Sequence, residues 1–246
     1  MGSVRVRFLG SGDAFAAGGR LQTCILVESD ECSCLLDCGA SSLIALKSAP
    51  IDPSDIDSIL VTHLHGDHFG GLPFFILDGQ FSHRSSRLRV AGPPGVEARV
   101  NRAMEVLFPG SAGARRKFEV QFQELVEGIP TSLDPLQVTP YEVVHPCGAP
   151  PFALRVQLDG RVITYSGDTE WTDRLAAAAS GADLFICEAY SYEKRVPFHL
   201  DYATLMQHRS KIECKRIVLT HMSSEMLSHV PDLAIEPAHD GLEIIL

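Results

Sequence analysis

The sequence predicts an α/β protein in which two β-sheets are sandwiched between helices, a four-layer αββα arrangement. Three observations carry this prediction: the first half of the chain is rich in hairpin signals, strands and helices alternate in the second half, and 45% of the 246 residues are hydrophobic. Such a chain buries a sizeable core, which excludes intrinsic disorder. The length suits one large domain or two small ones. With no repeat or linker, we expect a single domain over residues 1–246.

Strands and helices are assigned from hydrophobic spacing and turn residues. Strands are predicted at residues 4–9, 23–27, 32–37, 58–61, 152–157, 162–166, 183–187 and 216–219. Asp159-Gly160 is a two-residue hairpin signal between two of them. Helices are predicted at residues 94–108, 172–179 and 201–209. The first of these helices should bury one apolar face, made of Val96, Val100, Met104 and Leu107.

Composition limits the functions open to the chain. A formal net charge of −10 and a pI near 5.4 argue against broad, sequence-independent binding of nucleic acid, which needs a basic face. A phosphate-bearing substrate is still compatible, because bound cations can invert the local field. No apolar stretch is long enough for a membrane span, and the N-terminus lacks a signal-peptide core. We expect a cytoplasmic protein with no membrane partner.

Seven cysteines, an odd number, indicate free thiols in a reducing compartment. Cys32 and Cys34 would face the same way on a strand and could hold a metal together with Cys38, but no fourth ligand accompanies them. We therefore expect ordinary core cysteines, with a metal site as the alternative.

A dense cluster of candidate metal ligands occupies residues 62–68, Thr-His-Leu-His-Gly-Asp-His. Neutral imidazoles and a carboxylate suit zinc, manganese or iron. In a tight turn, one pair of ligands can face one metal and a second pair another, with Gly66 allowing a sharp bend between them. The pairs are His63 with His65 and Asp67 with His68. A merely solvated polar loop fits poorly, because apolar runs flank the cluster on both sides.

Further candidates follow other predicted strands: His145, Asp168 and His221. Strand-end loops are where a rigid scaffold holds functional groups. With His63, which follows the strand predicted at residues 58–61, four dispersed segments each end a strand in His or Asp, and this suggests that they converge on one place.

The spacing His-x-His-x-Asp-His resembles the signature of the metallo-β-lactamase-fold hydrolases, and the resemblance covers nearly the whole chain. Leu36-Asp37-Cys38-Gly39 resembles the family's Asp-x-Gly turn, and residues 165–169, Tyr-Ser-Gly-Asp-Thr, resemble its Gly-Asp segment. The resemblance implies the αββα fold and two divalent metal ions, zinc first, with manganese or iron as alternatives. It also implies a ligand set: His63, His65 and His145 on one metal, Asp67, His68 and His221 on the other, Asp168 bridging both, and Asp37 supporting the metal loop.

Within that family, the chain is similar to the ribonuclease Z and phosphodiesterase branch. The likeness rests on Cys187-Glu188-Ala189, His199, His221-Met222-Ser223-Ser224 and Leu9-Gly10-Ser11-Gly12-Asp13. It implies that Glu188 and His199 help to protonate the leaving group, while Asp67 accepts a proton as well as binding metal. The chain has no Gly-Pro-rich insertion of the kind that grips transfer RNA. A small molecule, not a long RNA, is the expected substrate, and a homodimer is compatible.

Alternatives stay open at several points. Glu188 could be a buried structural carboxylate, His199 could cap the helix that begins near residue 201, and Asp13 could bind substrate or only form a turn. Two metals lower the pKa of bound water to roughly 7 and so supply a hydroxide nucleophile. The expected activity is hydrolysis of a small phosphodiester or nucleotide. A lactone, thioester or other ester hydrolase is the second hypothesis, and a non-catalytic binding protein the third.

Overall fold

Two seven-stranded β-sheets form the centre of the structure, a computed structural model that describes residues 2–246. The strands, numbered along the chain, are β1 (Arg5–Gly10), β2 (Cys24–Glu28), β3 (Ser33–Leu36), β4 (Ser58–Leu60), β5 (Leu88–Gly92), β6 (Val120–Glu124), β7 (Thr131–Leu133), β8 (Leu136–Glu142), β9 (Phe152–Leu158), β10 (Arg161–Tyr165), β11 (Leu184–Glu188), β12 (Ile217–Thr220), β13 (Glu236–Pro237) and β14 (Glu243–Ile245). The first sheet has the order β14-β1-β2-β3-β4-β5-β6, and the second has the order β13-β12-β11-β10-β9-β8-β7.

Helices cover the outer faces of both sheets. They are α1 (Ser42–Ser48), α2 (Gly66–Phe69), α3 (Leu72–Phe81), α4 (Val96–Leu107), α5 (Asp173–Ala179), α6 (Tyr202–Gln207) and α7 (Ser224–Ser228). One apolar cluster joins α1, α3 and α4 to the first sheet, and another joins α5, α6 and α7 to the second. A third cluster fills the space between the sheets, where Phe8 and Leu36 meet Leu154 and Ile186. The predicted αββα sandwich is confirmed.

The hairpins predicted from turn residues are present. Strand β2 pairs antiparallel with β3, and β9 pairs antiparallel with β10 across Asp159 and Gly160. Both of these turn residues have positive φ, 48° and 76°, as a tight hairpin turn of the favoured type requires. The turn chemistry therefore sets the register of β9 and β10, on which the segment that follows Tyr165 depends.

Two helical predictions need correction. In α4, Val96, Val100 and Met104 are buried as expected, but Leu107, the last residue of the helix, is 47% exposed. The helix predicted at residues 201–209 is α-helical only over Tyr202–Gln207 and continues as a 3₁₀ turn at Arg209–Lys211.

The cysteine cluster does not form a metal site in the structure. Cys32 and Cys34 lie in the core between the sheets, whereas Cys38 lies in the separate core beneath the helices of the first sheet. Six of the seven thiols are buried and all seven are free. Burial raises the pKa of Cys32 to about 11, which suits an inert core thiol. The interpretation of these residues as core cysteines is therefore the better one.

The parallel strands in each sheet position the loops that carry the candidate ligands. Strands β3, β4 and β5 run parallel in the first sheet, and β10, β11 and β12 run parallel in the second. Carboxyl ends of neighbouring parallel strands lie at one edge of a sheet, so the loops that follow them can meet. Across residues 2–246, no helix has the length and apolar character needed to cross a membrane.

Candidate metal centre and active site

The histidine-rich segment leaves β4 and enters the short helix α2. His65 has extended backbone, with φ −87° and ψ 150°, and directly precedes the helix. The change from extended to helical backbone after His65 separates Asp67 and His68, which lie in the helix, from His63 and His65, which precede it. Gly66 is the first residue of the helix, and a Cβ there would meet nothing within 4 Å. The expected role of glycine in a sharp bend is therefore wrong, since the bend lies at His65.

The dispersed candidates arrive from the second sheet. His145 follows β8, Asp168 follows β10 and His221 follows β12. All three side chains are buried. The second sheet thus brings its strand-end residues to the place where the first sheet presents its contiguous motif.

The seven predicted ligands gather into two groups. One group contains His63, His65 and His145, and the other contains Asp67, His68, Asp168 and His221. Within each group, the candidate ligand atoms all lie within 4.8 Å of one another. The sequence motif and the dispersed residues are therefore brought together in the two sets that the family resemblance implied.

Asp168 lies between these two groups. Its Oδ1 is 3.3 Å from His68 Nε2, and its Oδ2 is 3.4 Å from His221 Nε2. The same Oδ2 is 3.9 Å from both His63 Nε2 and His145 Nε2. One carboxylate thus faces both groups, which is the position that a bridge between two cations requires.

The donor atoms fit divalent cations. Bonds of about 2.0–2.2 Å in a tetrahedron place neighbouring donors about 3.3–3.6 Å apart. Asp67 Oδ2 is 3.2 Å from His68 Nε2 and 3.3 Å from His221 Nε2, close to that spacing. Among the described residues, several buried polar atoms have no hydrogen-bond partner, including His63 Nε2, His68 Nε2 and Asp168 Oδ1. Such atoms are costly to bury, and a cation would satisfy all three.

The electrostatics of the two groups differ. Burial, with neighbouring His68, lowers the pKa of His63 well below its ordinary value, so this imidazole is neutral and ready to act as a ligand. Burial would also lower the pKa of His221, but Asp168 and hydrogen bonds with Asp67 and Glu188 outweigh it and raise this pKa to about 10. The second group therefore carries a negative field that favours positive charge, and a metal ion can supply that charge.

Asp37, at the end of β3, holds the metal loop in place. Its Oδ1 accepts a hydrogen bond from Thr62 N at 2.8 Å, and its Oδ2 accepts one from Thr62 Oγ1 at 2.8 Å. His68 Nδ1 lies 2.7 Å from the same Oδ2. With Nδ1 donating to Asp37, the Nε2 atom of His68 faces the ligand group, as a supporting carboxylate should arrange.

Two other histidines are oriented by their remote ring nitrogens. His63 Nδ1 lies 3.0 Å from Thr62 Oγ1, and His145 Nδ1 lies 2.8 Å from the carbonyl oxygen of Phe198. With Nδ1 of each ring engaged in a hydrogen bond, the lone pair of Nε2 is free to bind a metal ion. The contact with Phe198 also ties the ligand loop at His145 to the loop that carries His199.

A second buried carboxylate, Glu188, organises the other side of the site. Its Oε1 lies 2.5 Å from His199 Nδ1, and its Oε2 accepts hydrogen bonds from Thr169 N at 2.8 Å and Leu200 N at 3.3 Å. Burial would lower the pKa of His199, but the hydrogen bond and charge of Glu188 outweigh it and raise this pKa above 6.5. Glu188 therefore favours the protonated form of His199, whose ring lies beside the ligand groups.

His199 does not cap the following helix. The N-cap of α6 is Asp201, whose Oδ1 accepts a hydrogen bond from Thr204 N at 2.8 Å. The ring of His199 instead packs 4.9 Å from the ring of His145 and 5.9 Å from that of His221, centroid to centroid. The capping alternative is therefore wrong, and the side chain belongs to the site.

Several site residues that are not glycine have left-handed backbone. They are Asp37 (φ 60°), Phe198 (φ 67°) and His221 (φ 58°). This conformation is unfavourable for side chains with a Cβ and is found mainly where surrounding contacts enforce it. Asp37 and His221 contribute their own side chains to the site, and the carbonyl oxygen of Phe198 contacts Nδ1 of His145.

The Gly-rich segment that follows β1 packs beside His221. A Cβ on Gly10 would lie 2.0 Å from the carbonyl oxygen of Gln22, so only glycine fits there. The carbonyl of the next residue, Ser11, accepts a hydrogen bond from His221 N at 3.2 Å. Asp13 uses its Oδ1 to accept hydrogen bonds from Phe15 N and Ala17 N. Its buried carboxylate therefore forms a turn, as the simpler interpretation expects.

Aromatic residues beside the site were missed at the sequence level. Tyr190 stacks on His199 with ring centroids 4.7 Å apart, and Trp171 stacks on His208 at 4.3 Å. A sequence signal existed, since Trp171 is the only tryptophan in the chain and lies three residues after Asp168.

Comparison with curated proteins finds ribonuclease Z enzymes. The chain is 26% identical to ribonuclease Z of Anoxybacillus flavithermus over 293 aligned positions, covering 96% of this chain and 92% of that protein. It is also 26% identical to ribonuclease Z of Bacillus subtilis, covering 98% and 94% of the two chains. An alignment longer than this 246-residue chain means that these enzymes carry inserted residues that this chain lacks.

Comparison with solved structures agrees on the fold. The metallo-β-lactamase-fold protein YhfI from Bacillus subtilis superposes with a TM-score of 0.80 at 18% identity, covering all of both chains. The short form of human tRNase Z, ELAC1, gives 0.79 at 24% identity, covering 98% of both. A diphosphatase from the PhnP family gives 0.78 at 20% identity, covering 99% of this chain and 97% of the other.

The site and the comparisons describe a metal-dependent hydrolase with the metallo-β-lactamase fold, related to ribonuclease Z and the phosphodiesterases. The sequence profile of one family, described as Anti-Pycsar protein Apyc1, matches residues 4–234, nearly the whole chain. The chain therefore belongs to the Anti-Pycsar protein Apyc1 family.

Proposed function

We propose that this protein is a dinuclear phosphodiesterase acting on a small phosphodiester or nucleotide. The observation that carries the proposal is the Glu188–His199 pair beside two groups of metal-ligating side chains. A phosphodiester with an alkoxide leaving group benefits most from a proton donor at that position. A lactone or thioester needs that donor less, so the pair favours phosphorus chemistry.

His63, His65 and His145 would hold one cation, Asp67, His68 and His221 would hold the other, and Asp168 would bridge them. When bound, the metals would lower the pKa of water and stabilise negative charge on the attacked phosphoryl group. Histidine-rich sets with one or two carboxylates suit zinc first, with manganese or iron as alternatives.

The remaining steps fall to this chain's own side chains. Water adds to phosphorus, the bond from phosphorus to the ester oxygen breaks, and the leaving oxygen takes a proton. His199 would donate that proton from Nε2, because Nδ1 is bonded to Glu188. Asp67 is the candidate to accept the proton lost by the attacking water, since its side chain is 11% exposed at the edge of the second group. To close the cycle, Asp67 would release its proton to solvent and His199 would take one from solvent, with Glu188 stabilising the protonated imidazole.

A small substrate fits the chain better than a long RNA. The net charge is −10, and the aligned ribonuclease Z enzymes contain inserted residues that this chain lacks. The smallest phosphodiester made from one nucleotide is a cyclic mononucleotide, which makes this class a natural first test. We further infer that residues 1–246 act as one unit, because the site draws on both sheets. Free thiols support a cytoplasmic location.

Metal analysis and a substrate panel test the proposal together. Protein purified without chelator should contain about two zinc, manganese or iron ions per chain, as the two-site chemistry requires. The metal-loaded protein should hydrolyse bis-p-nitrophenyl phosphate and 3′,5′-cyclic adenosine monophosphate faster than a lactone or a thioester. Preferred turnover of the carbon esters would replace the proposal with the second hypothesis. Two bound metals with no turnover of any substrate would favour a binding protein.

A further inference from the structure

A cleft of about 430 Å³ opens directly beside His199. Its lining includes His199 itself, Trp171, Arg195, Thr204 and His208. A volume in this range suits a ligand of nucleoside size. Because His199 lies both in this wall and beside the ligand groups, the cleft and the metal centre share one side chain.

The lining of the cleft contains a flat aromatic pair. Trp171, just before the N-cap of α5, and His208, just after α6, stack with centroids 4.3 Å apart and ring planes 4° apart. Both side chains are half-buried. Aromatic faces of this kind are what proteins use to hold nucleobases, because every base offers a π-face for stacking.

The polar groups of the cleft leave one cation free to contact a ligand. Glu170 Oε1 accepts a hydrogen bond from Phe198 N, and both oxygens of Asp201 accept hydrogen bonds from Thr204. Arg195 is exposed, and among residues 2–246 it has no ion-pair partner within 4.0 Å. Its guanidinium can therefore donate to the carbonyl or ring nitrogens at the edge of a base.

We propose that this cleft binds the nucleobase of the nucleoside that carries the leaving oxygen. The inference rests on the proposed phosphodiesterase function: if His199 protonates the leaving oxygen, the nucleoside attached to that oxygen must lie on the His199 side of the phosphorus. The cleft is the space on that side, and Trp171, His208 and Arg195 line it.

A second cleft, of about 400 Å³, is lined by Tyr190, Phe15 and Lys194. His199, the proposed proton donor, does not line it, so a leaving group bound there would not share a wall with that donor. A base in this second cleft would also lie away from Trp171, which makes the two locations distinguishable by experiment.

Trp171 is the only tryptophan, so its fluorescence reports on one wall of the proposed cleft. The test titrates metal-loaded protein with adenosine 5′-monophosphate and, separately, with ribose 5-phosphate, exciting at the red edge of tryptophan absorption, where adenine does not absorb. The nucleotide should quench Trp171 and bind more tightly than the base-free sugar phosphate. Absence of quenching, or equal affinity for the two compounds, would overturn the assignment.

Substitutions of residues in the cleft test whether the base binds there. His208→Ala and Trp171→Ala should each raise the Kd for adenosine 5′-monophosphate by roughly 5- to 150-fold, measured by calorimetry, with no change for ribose 5-phosphate. Arg195→Gln, at an exposed position with no risk to folding, should raise the same Kd by a smaller factor. The matched control is His229→Ala, which removes a similar stack, on Tyr192 with centroids 4.1 Å apart, from outside the cleft. Unchanged nucleotide affinity in all three cleft variants would place the base elsewhere.

Failure of the proposed function is a different result. If the wild-type protein turned over no phosphodiester yet bound adenosine 5′-monophosphate against Trp171, the cleft assignment would stand as a binding site and the phosphodiesterase would not. If it hydrolysed 3′,5′-cyclic adenosine monophosphate with the same kcat/KM in the wild type and in His208→Ala, the function would stand and the cleft assignment would fail.

Discussion

Asp37 and Glu188 are two fully buried carboxylates that hold the site from opposite sheets. Asp37 follows β3, and its oxygens contact Thr62 and His68. Glu188 ends β11, and its oxygens contact the backbone at Thr169 and Leu200 and the ring of His199. Each carboxylate therefore holds a loop that carries candidate site residues.

The difference lies in the histidine that each carboxylate orients. His68 belongs to one of the two groups that contain the seven predicted ligands. His199 is not among those seven and lies instead in a third cluster, with Glu188, Asp168 and His221. We therefore expect Asp37 to act on the reaction through the metals, and Glu188 to act mainly through the proton of His199, although its Oε1 also lies 3.5 Å from His221 Nδ1. Variants of Asp37 should therefore change mainly the metal content, and variants of Glu188 mainly the reaction rate.

Asp168→Asn should give the largest effect, because Asp168 is the only one of the seven predicted ligands that faces both groups. Removing a negative charge from between two cations should lower turnover by about a thousandfold or more and lower metal content at the same time. Activity assays and elemental analysis on the same preparation check this. Wild-type activity in the variant would mean that the match to the family's Gly-Asp segment is wrong.

His199→Ala should lose rate without losing metal. On an alkyl phosphodiester, the loss should be about a hundred- to ten-thousand-fold, as expected of a general acid. On a p-nitrophenyl phosphodiester it should be much smaller, because that leaving group needs little protonation. Equal losses on both substrates would reject the general-acid role, and reduced metal content would make His199 a ligand.

Asp37→Asn and Glu188→Gln form the direct comparison. Asp37→Asn should weaken metal affinity by about 10- to 100-fold, measured by competition with a chelator, and recover activity when metal is added in excess. Glu188→Gln should weaken metal affinity less than Asp37→Asn does, since Glu188 Oε1 lies 3.5 Å from Nδ1 of the candidate ligand His221, and should show a rate loss that added metal does not repair. If both variants responded to metal in the same way, the two carboxylates would have the same role.

The pH profile gives Glu188→Gln a second signature. A general acid acts in its protonated form, so the rate falls as pH rises through the pKa of His199. Glu188 raises that pKa above 6.5, and a neutral glutamine would allow burial to lower it. The alkaline fall in kcat should therefore begin at a lower pH in the variant than in the wild type. An unchanged profile would assign Glu188 a purely structural role.

Chelation should produce the smallest effect, on stability. Metals that bind the folded chain at about 100 times their Kd stabilise it by about 2.7 kcal/mol. For a chain of this size that corresponds to a drop in Tm of roughly 5–10 °C when the metals are removed. Calorimetry with and without chelator measures it, and Asp168→Asn should show a smaller drop. A chelator with no effect on the wild-type Tm would argue that the ligand groups hold no tightly bound metal.

Sequence patterns predict the parts of this molecule whose signals are local. The contiguous histidine motif, the hairpin at Asp159-Gly160 and the apolar face of α4 all depend on residues that are near neighbours in the chain. Helix α3 carries no such signal. It buries Leu72, Phe75 and Ile76 without a clear polar face, so its sequence shows no helical periodicity.

The contacts around His199 are the least predictable part of the site. His199 meets Glu188 across an irregular loop, and the path of that loop depends on left-handed backbone at Phe198, which no propensity favours. The stacking of Trp171 on His208 likewise joins the start of one helix to the end of another. Such contacts depend on how the helices and strands pack against one another. They leave no periodic pattern in the sequence from which they could be predicted.

The left-handed residues Asp37, Phe198 and His221 also set a limit on how this protein can evolve. Each such residue costs roughly 1–2 kcal/mol, a large share of the 5–15 kcal/mol that keeps a typical domain folded. Glycine at these positions would relieve the strain, and drift toward greater stability should therefore favour it. At Asp37 and His221, the same change would remove a group that the site uses. Selection for robustness and selection for activity thus oppose each other at identifiable positions, and descendants released from the need for activity should change there early.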